Sequence, residues 1–220
     1  FNLSIEKIFA PSWQIITDSD QFRNTIYPFT FLQDSIDEPL LLTNVDNKIY
    51  CVSNVCTHRG NILCLNKKNS KNITCKYHGR IFDLKGCIVS TPGFDGAKKF
   101  PSKSDNLKKI KIQTWKNFIF VSLKPKINIK EILRDIKLRL DWFPFDKLRY
   151  STSNSCEYTI NAHWSLYCEN YLEGFHVPFI HKGLTKNIAH NTYETILIDN
   201  GVLQIAEGTN KKESIMGTEN

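Results

Sequence analysis

The sequence predicts an α+β protein: a small all-β domain first, then a domain mixing helices with a β-hairpin. Three observations carry this. Short β-type runs bounded by turn residues occupy the chain from Tyr27 to about Leu123. The apolar period becomes helical after Pro125. Two further β-type runs, Tyr193 to Ile198 and Val202 to Ile205, flank Asn200-Gly201, a hairpin-turn dipeptide.

In order, the expected strands are Tyr27 to Leu32, Leu40 to Thr43, Ile49 to Ser53, Ile81 to Leu84, Ile110 to Thr114 and Phe118 to Leu123. Lys109, Lys111 and Gln113 alternate with Ile110, Ile112 and Thr114, and the aromatic run resumes after Lys116-Asn117, the pattern of a half-buried hairpin. Loops rich in Asn, Lys and Gly are expected at 66–72 and 92–105. Ile129, Ile132, Leu133, Ile136 and Leu140 recur at helical spacing until Pro144 stops the run. A strand-like stretch, Arg149 to Ile160, then leads to a second helix from about His163 to Val177. The expected division is a lead-in over 1–26, an all-β domain over 27–124 and an α+β domain over 125–220.

Composition sets the class. With 41% hydrophobic and 12% aromatic residues, the 220-residue chain reads as globular, which excludes a disordered or purely fibrous protein. Its apolar runs fall far short of the roughly 18 residues a membrane span needs. The start at Phe1 has neither the basic nor the apolar region of a secretory signal. Seven cysteines, an odd number in a chain too long to need disulfide staples, point to a reduced cytoplasmic protein. Lys and Arg exceed Asp and Glu by 29 to 22, a net +7, with lysines grouped at 67–71, 98–111 and 124–137. Such a balance suits an acidic partner, an anionic surface or nucleic acid, although most of these lysines read as a solvated face.

Two constellations carry chemistry. Cys56-Thr57-His58-Arg59-Gly60 and Cys75-Lys76-Tyr77-His78-Gly79 each pair one Cys with one His ahead of a turn-forming glycine. Structural zinc sites favour C-x₂₋₄-C and H-x₃₋₅-H instead. The order Cys-x-His, sixteen residues, Cys-x-x-His lets two thiolates hold one iron and two imidazoles the other. Cys51, Cys64, Cys87 and Cys156 have no such pairing and read as small core hydrophobes. The second constellation is Asn170-Tyr171-Leu172-Glu173-Gly174-Phe175-His176-Val177-Pro178-Phe179-Ile180-His181. On a continuous helix Asn170, Glu173 and His176 share a face, and Pro178 is expected to end that helix and let His181 swing back toward His176. Two imidazoles and a later carboxylate would make the facial site that binds ferrous iron.

The four ligands, their spacing and both glycines resemble the Rieske family. Asn61 and Tyr77 stand where respiratory-chain members carry a further cysteine pair, a departure that points to the oxygenase-type or ferredoxin-type branch. The second constellation resembles the Asn-x-x-Glu/Asp-x-x-His-x₄-His motif of Rieske non-heme iron oxygenase α subunits, and Ile8-Phe9-Ala10-Pro11-Ser12-Trp13 resembles their opening. The resemblance implies a Rieske domain followed by the start of a helix-grip, START-like catalytic domain. It implies a 2Fe–2S cluster on Cys56, His58, Cys75 and His78, and mononuclear Fe(II) on His176 and His181. Glu173 would bridge an iron-ligand histidine to a Rieske histidine of a neighbouring subunit, with Asn170 a polar residue near the iron. The family's third ligand, a downstream aspartate, is matched by none of Glu194, Asp199 or Glu207, so the chain is expected to be a piece of a longer protein. The implied partners are a ferredoxin or flavin reductase, O₂, a small aromatic or quaternary-amine substrate, and further copies of the chain in a trimer or larger ring.

The expected outcome is hydroxylation or oxidative demethylation. Two rivals come from other classes: an electron-transfer protein without oxygenase chemistry, and a zinc-stabilised basic module binding nucleic acid. Glu173, His176 and His181 speak against the first, and the absence of a nucleic-acid motif against the second. His163 and His190 read as surface or supporting residues, and Trp115, Trp142 and Trp164 as core anchors. Arg80, where many relatives have Trp, reads with Lys76 as a docking charge for an acidic donor or as a plain solvent-exposed charge.

Overall fold

The computed structural model describes residues 1–209. Its contacts divide the chain into two compact units. The first comprises Phe1–Ile129 and Asp141–Thr152; the second comprises Lys130–Leu140 and the chain from Ser153 onward.

The first unit is β-rich. After a helical lead-in, Asn2–Ser4 (α1) and the π-turn Ile5–Phe9, come β1 (Gln14–Asp18), β2 (Ile26–Phe31), β3 (Glu38–Val45) and β4 (Lys48–Ser53). Then follow β5 (Asn72–Thr74), β6 (Ile81–Asp83), β7 (Ile88–Ser90), β8 (Lys109–Trp115) and β9 (Phe118–Ser122). Six of these strands form one antiparallel sheet in the order β1-β9-β8-β4-β3-β2, and β5-β6-β7 form a second. The run Leu40-Leu41-Leu42 lies on β3 inside the large sheet and is buried on both faces. Leu41 and Val52 join Ile26, Ile73, Phe82 and Leu107 in one core, which also takes in Cys56 and Cys75. Leu40, Leu42 and Cys51 face the opposite core with Phe22, Phe31, Ile119 and Val121. β3 and β4 are joined by Asp46-Asn47, both at positive φ (50° and 62°), as a tight hairpin demands.

Strands β1, β5 and β7 were not expected from sequence. β5 and β7 have three residues each, too short for a period to register, and β1 lies in the expected lead-in. Cys51 and Cys64 are buried, as core cysteines should be. Trp115 anchors an aromatic group, its ring 4.8 Å from Phe145, which is itself 4.8 Å from Phe143. Trp142 is 52% exposed and is no core anchor, because Phe143 and Phe145 fill the position against Trp115.

Asp18 ends β1 and fixes the turn that delivers Phe22 to the core. Its carboxylate accepts hydrogen bonds from the backbone N–H of Asp20 (2.9 Å) and Gln21 (3.0 Å) and from the Gln21 amide (2.9 Å). Burial opposes ionisation here, but these bonds outweigh it and hold the carboxyl below its ordinary value of 3.8. Because the folded state favours the ionised form, this stabilisation is complete above the range in which an unfolded aspartate titrates. It fades as pH falls through the folded value. Asp18→Asn is expected to lose about 1–2 kcal/mol at neutral pH and to show a flatter acid limb in urea-denaturation midpoints against pH.

The second unit holds α2 from Ile129–Ile132, at its border, and α3 (Arg134–Leu140), then α4 (Trp164–Tyr171), α5 (Val177–Ile180), α6 (Lys182–Asn187), β10 (Glu194–Ile198) and β11 (Gly201–Ile205). Three expectations are corrected here. Residues 149–160 form no strand but a 3-10 turn, Thr152–Asn154, and irregular chain, which leaves Cys156 exposed. The helix expected over 163–177 is broken: α4 ends at Tyr171, with Gly174 just beyond it. Pro178, rather than ending a helix, sits in the first turn of α5, where its missing N–H costs nothing. The β10–β11 hairpin turns at Asp199-Asn200, since Gly201 already pairs with Ile198. Leu133 and Val177 are buried in this unit, while Tyr158, Phe175, Phe179 and Leu197 are largely exposed. No described helix is long and apolar enough to cross a membrane.

Candidate functional site

The two Cys/His segments are loops of matching construction, one following β4 and the other joining β5 to β6. In the first, Cys56 N–H donates to the Asn61 carbonyl (2.8 Å) and Gly60 N–H to the Cys56 carbonyl (3.0 Å). In the second, Cys75 N–H donates to the Arg80 carbonyl (2.8 Å) and Gly79 N–H to the Cys75 carbonyl (3.0 Å). Gly60 and Gly79 take φ of 69° and 71°, the left-handed conformation that closes each loop and that a side chain would strain.

The loops bring the expected residues together as two pairs, the histidines with each other and the cysteines within one core. The His58 and His78 rings lie 4.7 Å apart between centroids, and the Cys56 and Cys75 thiols are close enough to influence each other's ionisation. Both thiols are buried, and no disulfide joins them. Burial opposes the Cys75 thiolate, yet the backbone N–H groups of Tyr77 and His78, the Cys56 thiol and the Asn61 amide outweigh it and lower the pKa. Asn61 Nδ2 lies 3.7 Å from Cys75 Sγ. Burial raises the Cys56 thiol.

His58 Nδ1 is buried and has no hydrogen-bond partner in the protein. A buried, lone imidazole nitrogen beside a second imidazole and two thiols wants an electrophile. This donor set, two sulfurs and two nitrogens with N–H groups aimed at sulfur, fits a mixed-ligand 2Fe–2S cluster. Arg80, expected at the surface, is instead 4% exposed. Its guanidinium stacks near Phe94 and Phe100 and lies 3.7 Å from Asp105, so it is neither a solvent charge nor a docking charge.

The second constellation lies in the other unit. Asn170 is exposed on the last turn of α4, and the helix stops before it could align Asn170 with Glu173 and His176 on one face. Glu173 and His176 meet all the same: Glu173 Oε1 is hydrogen-bonded to His176 Nδ1, while Oε2 accepts the Phe175 N–H. The bond to His176 holds the Glu173 carboxyl below the usual carboxylate range. The His176 and His181 rings lie 5.1 Å apart, so two imidazoles are paired, one oriented by a carboxylate as metal-binding imidazoles are. These residues fit the two-histidine half of a ferrous site. Among the described residues no three His, Cys, Asp or Glu side chains converge on one metal position.

Beside this pair is a cavity of about 400 Å³ lined by Leu172, Glu173, Phe175, His190, Tyr193 and Thr195 among others. Gly174 admits Tyr193 to the motif's backbone, since a Cβ there would fall 2.5 Å from the ring. His190 Nε2 is buried without a partner. His163 caps α4, its Nδ1 accepting the Ser165 N–H at 3.3 Å. Sequence reasoning did not single out Tyr193 or Thr57 for the sites. Tyr193 arrives from a distant segment, so no local pattern announces it, whereas Asn61 stood beside the motif as an amide able to donate to sulfur.

Residues 12–101 match the Rieske 2Fe–2S domain family. The chain is 28% identical over 222 residues to choline monooxygenase of Arabidopsis thaliana, covering 96% of this chain and 52% of that protein. It is 27% identical over 201 residues to the large subunit of anthranilate 1,2-dioxygenase of Acinetobacter baylyi, covering 86% of this chain and 42% of that protein. The crystal structure of the quaternary ammonium Rieske monooxygenase CntA in complex with an inhibitor shares the fold, with a TM-score of 0.77 and 23% identity over 94% of this chain and 58% of that chain. The chain spans about half the length of the curated relatives it matches. The fold, the two paired loops and these likenesses converge: the chain contains a Rieske 2Fe–2S domain and is a homologue of the α subunits of Rieske oxygenases.

Proposed function

We propose that this chain belongs to the terminal oxygenase component of a Rieske non-heme iron system acting on a small quaternary ammonium compound. The observation that carries the oxygenase reading is the Glu173–His176 pair beside His181, in a chain that also bears a Rieske domain. A protein that only passed electrons would have no use for an oriented second imidazole pair next to a cavity.

Cys56, His58, Cys75 and His78 would hold the 2Fe–2S cluster, and His176 and His181 would hold mononuclear Fe(II). When bound, the cluster supplies one-electron storage and the mononuclear iron supplies activation of O₂. The protein's own residues do the rest. Glu173 occupies His176 Nδ1 and so orients the ring, which would leave Nε2 to hold the metal. Burial opposes the Cys75 thiolate, and the N–H groups of Tyr77 and His78 and the Asn61 amide favour it. Tyr193 and Phe175 bring aromatic rings, and Glu173 a carboxylate, to the cavity's lining. That combination suits a cation with no N–H to donate, which is the chemistry of a trimethylammonium group. The names of choline monooxygenase and CntA point the same way.

Electrons would come from a ferredoxin or flavin reductase. The oxidised cluster adds no formal charge, so the +7 balance remains available to an acidic donor. Oligomerisation into a ring and a reducing, cytoplasmic setting complete the proposal.

The reconstituted system is tested by substrate-dependent O₂ uptake, comparing a trimethylammonium alcohol with its neutral tert-butyl isostere and with an aromatic carboxylate. The expected result is a preference of about tenfold for the cation over its isostere, the worth of one to two kcal/mol of cation–aromatic contact. Equal rates for cation and isostere, or turnover of the aromatic acid alone, would overturn the substrate assignment.

A further inference from the structure

Arg80 is a full positive charge held inside the Rieske domain. Its guanidinium carbon lies 5.7 Å from the Phe94 ring centroid and 5.1 Å from that of Phe100. One nitrogen reaches Thr57 Oγ1 at 3.3 Å and Asp105 Oδ1 at 3.7 Å, while Nε is buried with no partner. Asp105 is a shared counter-ion, because its other oxygen accepts the Ser102 N–H and hydroxyl at 2.9 Å each. Thr57 stands between Cys56 and His58, and its hydroxyl donates to the Asp105 carbonyl at 2.7 Å. The Arg80 carbonyl closes the Cys75 loop, and Phe94 packs edge-on to His58 at 6.0 Å. Arg80 thus joins both cluster loops, its charge reaching Thr57 of the first and its backbone carbonyl closing the second, and that charge is incompletely neutralised.

Burying a charge without a matched partner is unfavourable, so such a cation needs a compensating negative charge. The oxidised cluster is formally neutral. One electron from an external reductant converts one ferric ion to ferrous and takes the formal charge to −1, with no bond made or broken and no proton required. We propose that Arg80 is a positioning residue for redox poise: its buried guanidinium stabilises the reduced cluster and so raises the reduction potential, and Asp105 moderates that effect. The inference rests on the Rieske reading.

The test is an EPR-monitored redox titration of the wild-type holoprotein and three variants, using dithionite and mediators. Arg80→Met is expected to shift the reduction equilibrium at least about tenfold toward the oxidised form, or about 59 mV for one electron. Asp105→Asn should shift it in the opposite direction, and Arg80→Lys, which retains the charge, should stay closer to wild type than Arg80→Met. A purely structural role would move Arg80→Met and Asp105→Asn the same way, and that result overturns the inference. So does an unchanged potential in Arg80→Met with its signal intact. If Arg80→Met does not fold, Asp105→Asn decides by the sign of its shift. Loss of any Rieske signal in the wild type would instead overturn the cluster assignment itself.

Discussion

Cys75→Ser is expected to abolish the cluster while leaving the β-sheets folded. Cys75 is 2% exposed, and its sulfur receives N–H groups from Tyr77 and His78 that are arranged for an anion. A serine hydroxyl does not ionise in their place. If the binding energy of a four-ligand metal centre, about 10–16 kcal/mol for zinc, is shared among its ligands, one ligand is worth roughly 3 kcal/mol, on the order of a hundredfold in retention. The near-ultraviolet and visible absorption of the cluster should vanish, and the far-ultraviolet circular dichroism should persist. The melting temperature should fall as well, because the cluster binds the folded state and stabilises it by mass action.

The second large effect separates the two centres. His176→Ala removes one imidazole of the proposed ferrous pair and leaves Glu173 without its His176 hydrogen bond, in a different unit from the one that carries Cys56 and Cys75. Turnover should disappear and mononuclear iron should be lost, with the Rieske signal unchanged in shape and amount. Glu173→Gln is the graded version. It keeps the side chain's size but weakens its hold on His176 Nδ1, and outer-shell partners of this kind are worth roughly 10–100-fold in metal affinity or activity. A His176→Ala protein that retained full mononuclear iron would place that iron elsewhere.

The Rieske loops were legible because their chemistry leaves little freedom. Two thiolates, two imidazoles and glycines at positive φ are needed close together, so Cys56, His58, Gly60, Cys75, His78 and Gly79 stand in order along the chain. The large-sheet strands were legible where apolar residues run or alternate, as at Leu40 to Leu42 and Ile110 to Thr114. Tertiary context decided the rest. Arg80 reads as a surface charge in sequence, and only the folding of Phe94, Phe100 and Asp105 over it makes it an interior cation. The apolar pattern through α4 ran past Tyr171, but Gly174 follows, and the backbone there is held against Tyr193 from a distant segment. Glu173 and His176 still met, since a turn brings i and i+3 together as a helix does. Cys156 looked like a core residue only while residues 149–160 looked like a strand.

Mixed ligation would place two cysteines on one iron of the cluster and two histidines on the other. Pulsed EPR on the dithionite-reduced protein, with histidine labelled by ¹⁵N, addresses it most directly. Two distinct histidine nitrogens are expected to couple to the cluster spin in the wild type, both unaffected by His176→Ala. A cluster with no histidine nitrogen coupling, or a colourless protein holding zinc at Cys56 and Cys75, would contradict it.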